Sequence, residues 1–236
     1  MLYIGNLKSN VAVLCLHGWQ QDAADFREHV STLINKTQLD AFKTVLFFPQ
    51  ATSYEWFAYN NNSSFDYDED SLNESKRKID KLVNALQKNY DSVLLVGYSQ
   101  GACMALSYAA SCNPLPLLAI SGFFMSKSIV FPGESCNKKM RVSFFHGEND
   151  KIINLNLAIK SYETINVQDF SIQPHDHWNF WSNADFKRLF LRFIQKHSVT
   201  RNTRIAKYAQ KHTTRQLIPI CQIADRKKSS QHRRRQ

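Results

Sequence analysis

The pentapeptide Gly97-Tyr98-Ser99-Gln100-Gly101 constrains the fold of this chain more than any other feature. It directly follows an apolar run at 92–96 and directly precedes a segment at 102–109 whose alanines recur at helical spacing. This G-x-S-x-G pattern is typical of a sharp strand-to-helix turn that exposes the serine oxygen at the carboxyl end of a sheet. The sequence therefore predicts Ser99 as a nucleophile. The alternative is a glycine-rich turn with an incidental serine.

The rest of the first 200 residues alternates between apolar runs and helical patterns. This alternation predicts an α/β fold, with a mostly parallel sheet and helices on both of its faces, in a single domain at 1–197. A length of 236 residues and an apolar share of 43% suit one such domain. Ser71 and Glu74 have capping-box spacing and predict the start of the second helix. We expect strands at 11–16, 44–48, 92–96, 117–120, 141–145 and 167–172.

Positive charge is concentrated at the end of the chain. The formal net charge is +10, yet residues 201–236 hold 11 of the 30 Lys and Arg residues and one of the 20 acidic residues. The first 200 residues thus carry 19 charges of each sign. We expect residues 198–236 to form a basic, mostly disordered tail. It is either a solvated extension or a contact for an anionic partner, although it has no recognisable nucleic-acid-binding fold.

Five cysteines lie at scattered positions without a C-x-x-C pair, at 15, 103, 112, 136 and 221. An odd and irregular set is typical of free thiols in a reducing compartment. The sequence shows neither an apolar run of membrane-spanning length nor a secretory signal at its start. We therefore expect a cytoplasmic protein, with the nucleus as the alternative because the tail is basic.

A second motif, Leu16-His17-Gly18-Trp19-Gln20-Gln21, follows the first apolar run. A strand that runs into His-Gly brings the next backbone amide to the sheet edge at which Ser99 is expected. The sequence predicts that the N–H groups of Trp19 and Gln100 form an oxyanion hole. For His17 itself we favour a structural imidazole bonded to nearby backbone.

An acid is expected after a later strand, because the G-x-S-x-G nucleophile is followed along the chain first by an acid and then by a histidine. The segment His146-Gly147-Glu148-Asn149-Asp150 follows the apolar run at 141–145. Asp150 is the predicted acid that orients the catalytic histidine and stabilises its charged form. Glu148 is the alternative, and both carboxylates can also be ordinary solvated loop acids.

A general base is expected in the segment His175-Asp176-His177-Trp178, which lies between the last strand and the final helix. His177 is the predicted base because it lies nearer that helix, and His175 is the alternative. The H-D-H triplet also resembles a metal-ligand cluster. No second cluster with matching spacing accompanies it, so we expect no metal.

The stretch at 51–70 is rich in aromatic residues and follows the second strand. It is either a flap that lines an acyl pocket or a surface loop that packs a few aromatic side chains into the core. Trp56 in this stretch and Trp178 beside the base are the predicted substrate-binding residues. Core packing explains tryptophans at these positions equally well.

The segments LCLHGWQQDAADFREHVSTL, FFPQATSYEWF, LLVGYSQGACMALSYAA, LAISGFF and VSFFHGENDKII resemble the FSH-type family of serine hydrolases. These are compact α/β-hydrolases related to the acyl-protein thioesterase and carboxylesterase group, and the similarity covers residues 9–197. The resemblance implies Ser99 as nucleophile, Asp150 as acid and His177 as base, with the same two oxyanion amides. Where the family commonly has Gly-Gly-His, this chain has His-Asp-His.

The combined pattern predicts a serine hydrolase that cleaves carboxylic esters through a Ser-His-Asp triad and an acyl-enzyme. We expect a small-molecule ester or thioester substrate with an apolar acyl chain, and no cofactor. An acyl-thioesterase acting on acyl-proteins or acyl-CoA is the enzymatic alternative, because the same machinery serves both bonds. The non-enzymatic alternative is a hydrolase-fold scaffold that binds nucleic acid through its tail.

Overall fold

The computed structural model describes residues 1–60, 66–111, 113–125, 140–162, 165 and 167–198. Within these ranges the chain forms one sheet, and the predicted α/β fold with a mostly parallel sheet is confirmed. The strands are β1 (Leu2–Gly5), β2 (Val11–Leu16), β3 (Thr44–Phe48), β4 (Ser92–Tyr98), β5 (Leu117–Ile120), β6 (Val142–Gly147) and β7 (Val167–Gln173). The helices are α1 (Ala23–Leu33), α2 (Lys36–Ala41), α3 (Glu69–Asn89), α4 (Gln100–Ser111), α5 (Leu155–Tyr162) and α6 (Ala184–His197).

The strand order is β1-β3-β2-β4-β5-β6-β7, and every neighbouring pair is parallel except β1 with β3. From β2 the chain moves to one side to form β3 and then crosses to the other side to form β4. The connections therefore diverge at the carboxyl ends of β2 and β4, which opens a crevice there. Ligands of open α/β sheets bind at such a reversal point.

The sheet is covered on both faces, and β2 shows how one strand serves both. Its odd-numbered side chains pack in a cluster with α1, α2 and α6, whereas its even-numbered side chains pack in a cluster with α3, α4 and α5. All six side chains are fully buried. A continuous apolar run is therefore needed here, in place of the apolar–polar alternation of a sheet with one wet face.

Two short elements were not predicted from the sequence, and one helix begins at a residue other than the predicted one. β1 is a four-residue edge strand and α2 is a six-residue helix, both too short to give a clear period. Helix α3 begins at Glu69 because the Asp68 side chain caps it, accepting the N–H of Ser71 at 2.6 Å. The predicted start at Ser71 is therefore wrong, and the Ser71 hydroxyl donates to the Asp68 carbonyl instead.

The predicted tail at 198–236 lies outside the described residues except for Ser198, so its disorder and the domain boundary at 197 stay predictions. Cys15 and Cys103 are buried free thiols, and the other three cysteines lie outside the described ranges. None of the helices in these ranges combines the length and the apolar character that crossing a membrane requires.

Candidate active site

Ser99 occupies the tight bend between β4 and α4. Its φ is +52°, a left-handed conformation that is unfavourable for a residue with a side chain. Backbone bonds hold it there: its N–H donates to Ile120 O at 2.9 Å, and its carbonyl accepts from Ala102 N at 3.0 Å and Cys103 N at 3.1 Å. The side chain is half-exposed at the carboxyl edge of the sheet. Strain of this kind is commonly stored at functional sites.

Glycine is required on both sides of this bend because the chain is too crowded for a β-carbon. A Cβ on Gly97 would lie 2.4 Å from the Gly101 carbonyl oxygen, and a Cβ on Gly101 would lie 2.3 Å from the Leu16 carbonyl oxygen. Real Cβ atoms do not approach backbone this closely. Glycine at 97 lets the end of β4 lie close to α4, and glycine at 101 lets the start of α4 lie close to the end of β2.

The structure brings three of the predicted side chains into one hydrogen-bonded chain. Nε2 of His177 lies 2.9 Å from Oγ of Ser99, and Nδ1 of His177 lies 2.7 Å from Oδ2 of Asp150. Asp150 and His177 are 4% and 1% exposed. Because a carboxylate only accepts, Nδ1 carries the imidazole proton, which leaves Nε2 to accept the proton of the serine hydroxyl.

The alternative acid and base lie apart from this chain. Glu148 is exposed on the loop after β6. His175 points towards α6, where its Nε2 lies 2.7 Å from the amide nitrogen of Asn183, the N-cap residue of that helix. The two residues that could replace Asp150 and His177 therefore have other surroundings.

The Asp150 carboxylate is fixed from two sides. Its Oδ1 accepts the N–H groups of Ile152 and Ile153, both at 2.9 Å, which leaves Oδ2 for His177. On the other side, buried His146 donates from Nε2 to the Ile153 carbonyl at 2.8 Å, with the same nitrogen 3.5 Å from Oδ2. Burial lowers the pKa of His146, so this second imidazole is neutral and does not neutralise the carboxylate.

Tyr98 contacts both the backbone and the ring of His177, a role that the G-x-S-x-G pattern does not reveal. Its hydroxyl donates to the His177 carbonyl at 2.9 Å, and its ring is fully buried against the His177 imidazole, with centroids 5.4 Å apart. Burial raises the pKa of the phenol, so it remains a neutral donor. The residue next to the serine thus fixes the backbone of the histidine.

The predicted oxyanion donors lie beside Ser99. Trp19 and Ser99 line the same cleft, and Gln100 begins α4, whose N-terminus carries partial positive charge. Within the described part of the chain, no protein acceptor takes the backbone N–H of either Trp19 or Gln100. The Gln100 side chain is buried and clamps the neighbouring loop, accepting from Trp56 N at 2.9 Å and donating to Phe57 O at 2.8 Å.

His17 has the structural role that the sequence favoured. It is fully buried, its Nδ1 donates to the Gly18 carbonyl at 2.8 Å, and its Nε2 accepts from Ala51 N at 3.1 Å. Burial lowers its pKa, which agrees with a neutral ring that uses one nitrogen as donor and the other as acceptor. This imidazole therefore links the loop after β2 to the loop after β3.

A cleft of about 700 Å³ opens beside Ser99. Several aromatic side chains line it, together with polar residues that include Asp25 and His29 of α1. Trp178 lines it and is 57% exposed, as expected for a side chain that can touch a substrate. The other large apolar side chains in the wall are Trp19, Tyr98, Ile152 and Trp181.

Trp56, the other predicted substrate-binding residue, does not line this cleft, which corrects that prediction. It is 4% exposed, and its indole N–H donates to the His17 carbonyl at 2.8 Å. Phe57 and Tyr67 are buried in the same core cluster. Three of the five described aromatic residues of the 51–70 stretch thus pack into the core, whereas Tyr54 is exposed and half-buried Tyr59 packs against Trp19. Within the described residues, no three His, Cys, Asp or Glu side chains are grouped to hold a metal.

Comparison with known proteins agrees with this architecture. Residues 6–177 match the protein family described as Phospholipase/Carboxylesterase. The acyl-protein thioesterase 1 homolog 2 of Dictyostelium discoideum is 28% identical over 188 residues, which covers 70% of this chain and 84% of that protein.

Similar solved structures extend the comparison to three dimensions. Esterase PE8 has a TM-score of 0.62 at 20% identity and covers 83% of this chain and 97% of its own. Acyl-protein thioesterase 2 of Zea mays has a TM-score of 0.63 at 16% identity and covers 79% of this chain and 94% of its own. At such low identity the likeness concerns the fold, and it confirms the predicted α/β-hydrolase fold.

Proposed function

We propose, on the premise that this chain belongs to the phospholipase/carboxylesterase family, that it hydrolyses carboxylic esters with Ser99 as nucleophile, His177 as general base and Asp150 as orienting acid. Membership confirms the expected kinship with the carboxylesterase and acyl-protein thioesterase group. It also makes the chain a carboxylic-ester hydrolase in the broad sense. The identity of the reacting residues and of the substrate is our proposal.

The observation that carries the proposal is the unbroken hydrogen-bonded chain from Asp150 through His177 to Ser99, with links of 2.7 and 2.9 Å. Its buried end lies in the core, and its other end is a half-exposed hydroxyl on a strained bend beside a cleft. A structural hydrogen bond does not need an exposed end. A nucleophile does, because it must reach a substrate in a fixed direction, and backbone strain of the kind seen at Ser99 is common at such sites.

The proposed reaction has two halves. Oγ of Ser99 attacks the ester carbonyl while Nε2 of His177 takes its proton, and the imidazolium then gives that proton to the departing alcohol. A water molecule attacks the acyl-enzyme, gives one proton to Nε2 and releases the acid, after which Ser99 regains its proton. The Asp150 carboxylate stays ionised throughout and stabilises the imidazolium formed in each half.

The negative charge that develops on the carbonyl oxygen is assigned to the N–H groups of Trp19 and Gln100. Both amides are without a protein acceptor in the described ranges, so each has a proton to donate. Donors of this kind are set before the reaction begins, and they act most strongly on charge that appears in the transition state.

The wall of the cleft supports an ester with an apolar acyl or alkyl part. Tryptophan side chains provide large, rigid apolar surfaces, and three of them line the space beside Ser99. Burying one methylene group contributes about 0.8 kcal/mol, so each added methylene is expected to raise kcat/KM about three- to fourfold until the cleft is full.

An acyl-thioesterase is the second candidate, and the match to an acyl-protein thioesterase favours it. The proposed residues serve both bonds, since a thioester carbonyl is attacked in the same way and its thiolate leaves more readily.

Paired oxygen esters and thioesters with the same acyl chain, from two to twelve carbons, test the function directly. We expect kcat/KM to rise with chain length in both series, because the cleft wall is apolar. The ratio of the two series at one chain length then assigns the preferred bond. Failure of the purified protein to cleave any member would contradict the proposed function, and a preference for acetyl esters would contradict the apolar subsite.

Replacing Asp150 with asparagine is expected to lower kcat about 10³–10⁴-fold. The amide would keep accepting from Ile152 and Ile153 through its oxygen and turn its NH2 group towards His177. Nδ1 would then have to accept, which puts the imidazole proton on Nε2 and disables the base. The pH–rate profile of the variant with one ester is the measurement.

Glu148→Gln is the matched control, since Glu148 is exposed on the same loop. We expect it to stay within about twofold of the wild type, as exposed charges away from a site have small effects. A larger loss in Glu148→Gln than in Asp150→Asn would exchange the two assignments.

Two further features belong to the proposal. We place the protein in a reducing compartment such as the cytoplasm, which the buried free thiols Cys15 and Cys103 support. The basic residues 201–236 are proposed to contact an anionic partner, and only their charge supports this.

A further inference from the structure

The loop at 17–21, which follows β2, is a tight turn that returns on itself. Gln21 N donates to Gly18 O at 3.3 Å, so Trp19 and Gln20 occupy the two central positions. Gln20 has a φ of +55°, in the left-handed region. A residue other than glycine is held in this region only by its surroundings, so the orientation of the central peptide groups is determined by other contacts.

The backbone N–H groups of three consecutive residues in this turn differ in their hydrogen-bond acceptors. Gly18 N donates to the side-chain oxygen Oε1 of Gln21 at 3.1 Å, and Gln20 N donates to the Tyr54 carbonyl at 2.9 Å. The amide between them, Trp19 N, has no protein acceptor in the described part of the chain. Two fixed neighbours thus hold the free amide in one orientation.

The acceptor for Gln20 is itself held in a strained turn. Ser53 and Tyr54 have φ values of +53° and +62°, two left-handed residues in succession, neither of them glycine. The turn is closed by Glu55 N donating to Thr52 O at 3.1 Å, and Lys78 Nζ donates to the Thr52 hydroxyl at 3.0 Å. This conformation is unfavourable for residues with side chains, so the contacts around the turn must hold the Tyr54 carbonyl in its orientation.

The acceptor for Gly18 is a side chain, and this makes the arrangement testable. Gln21 is half-buried and lines the cleft, and its Oε1 is the partner of the Gly18 N–H. Without that oxygen, the His17–Gly18 peptide, which directly precedes the peptide that carries the Trp19 N–H, loses the bond that resists its rotation. The Gly18 carbonyl, which shares a peptide with the Trp19 N–H, stays bonded to His17, so we expect the amide to be misaligned and not released from the loop.

We propose that Gln21 is a positioning residue for the oxyanion hole: by accepting from Gly18 N, its side chain aims the Trp19 N–H at the reacting carbonyl oxygen. The inference rests on the proposed function, because it assumes that Ser99 creates an oxyanion in this cleft. Gln21 acts through Trp19 and does not itself touch the developing charge. Its contribution therefore belongs to the transition state and not to binding of the ground state.

The test compares Gln21→Leu with Gln87→Leu, the same substitution at a glutamine away from the site. Gln87 is exposed on α3 and does not line the cleft. Leucine keeps much of the volume and cannot accept a hydrogen bond from Gly18 N. Removal of a whole oxyanion donor typically costs about 10²–10³ in kcat, so misalignment of one is expected to cost about 10–100-fold.

Three measurements separate positioning from a general structural effect. In Gln21→Leu we expect kcat to fall about 10–100-fold while KM changes less than about threefold, because only transition-state binding is lost. Affinity for a trifluoromethyl ketone, which adds to Ser99 and carries an oxyanion, should fall by the same factor as kcat. Affinity for the product carboxylate should stay near the wild-type value, and Gln87→Leu should match the wild type in all three.

Several outcomes would overturn the inference. One is a kcat for Gln21→Leu within about twofold of that for Gln87→Leu. Another is a fall in kcat without weaker binding of the trifluoromethyl ketone. A matching rise in KM would show that Gln21 contacts the substrate instead. In each case wild-type turnover that disappears in Ser99→Ala would leave the proposed function intact, whereas turnover that survives in Ser99→Ala would overturn the function itself.

Discussion

Ser99→Ala is expected to lower kcat by at least about 10⁴-fold, the largest effect of any single substitution in this chain. Alanine removes the only atom that forms the acyl-enzyme, and what remains is binding and the oxyanion donors acting on attack by water. The fold should survive, because serine and alanine both carry a Cβ and are strained to a similar degree at a φ of +52°, and the Ser99 side chain is half-exposed. Initial rates with one chromogenic ester and labelling by a fluorophosphonate probe are the two readouts.

Ser31→Ala provides the matched control. Ser31 lies on the exposed side of α1, where its hydroxyl donates to Arg27 O at 2.7 Å within the helix. The wild type and this control should turn over the ester at equal rates and take up the probe, while Ser99→Ala should do neither and should melt within a few degrees of the wild type. Turnover that persists in Ser99→Ala would show that another group attacks the ester.

His177→Gln is expected to lower kcat about 10⁴-fold, whereas His175→Ala should stay within a few-fold of the wild type. Glutamine leaves a donor near Asp150 so that the buried carboxylate is not stranded, but it cannot take a proton from Ser99. His175 contributes a hydrogen bond to Asn183 at the start of α6, so its loss affects stability by about 1 kcal/mol and not the chemistry.

The comparison is decisive because the two histidines are two residues apart on one loop. Thermal melting separates the effects: His175→Ala should lower Tm with little change in kcat, and His177→Gln should lower kcat far more than stability explains. The opposite ranking in kcat would assign His175 as the base. Small losses in both variants would contradict a histidine base altogether.

The position of the site follows from the order of strands and helices, and simple sequence patterns are enough to predict that order. The run at 92–96, the glycine pair around Ser99 and the alanines of α4 predict a strand, a bend and a helix in that order. Collisions of 2.4 and 2.3 Å at Gly97 and Gly101 show why no larger residue fits. Steric limits of this kind depend only on whether a residue has a side chain, so the sequence is sufficient to predict them.

Trp56 is a position where the residue type does not predict whether the side chain faces the cleft or the core. A tryptophan in an aromatic loop beside a predicted cleft can face either the cleft or the core, and its hydrophobicity is the same in both places. The structure buries it because its indole N–H meets the His17 carbonyl and its backbone N–H meets Gln100. These partners lie 39 and 44 residues away. No local pattern encodes a contact of that separation.

The side-chain roles of Tyr98 and Gln21 were equally hidden. Each lies within a motif, and each bonds a backbone group: Tyr98 donates to the His177 carbonyl on a distant loop, and Gln21 accepts from Gly18 N in its own turn. The sequence signal that could have found them is a polar side chain within a motif to which the expected chemistry of that motif gives no role.

The sequence alone determined the fold class, the bend that carries Ser99 and the order of the candidate nucleophile, acid and base, because backbone sterics and apolar periodicity act over a few neighbouring residues. Tertiary structure decided which of two histidines faces the serine, which of two acids is buried and which tryptophan lines the cleft. Those choices depend on strands that are adjacent in the sheet but far apart in the chain, and on partners that only a folded core brings within hydrogen-bonding distance.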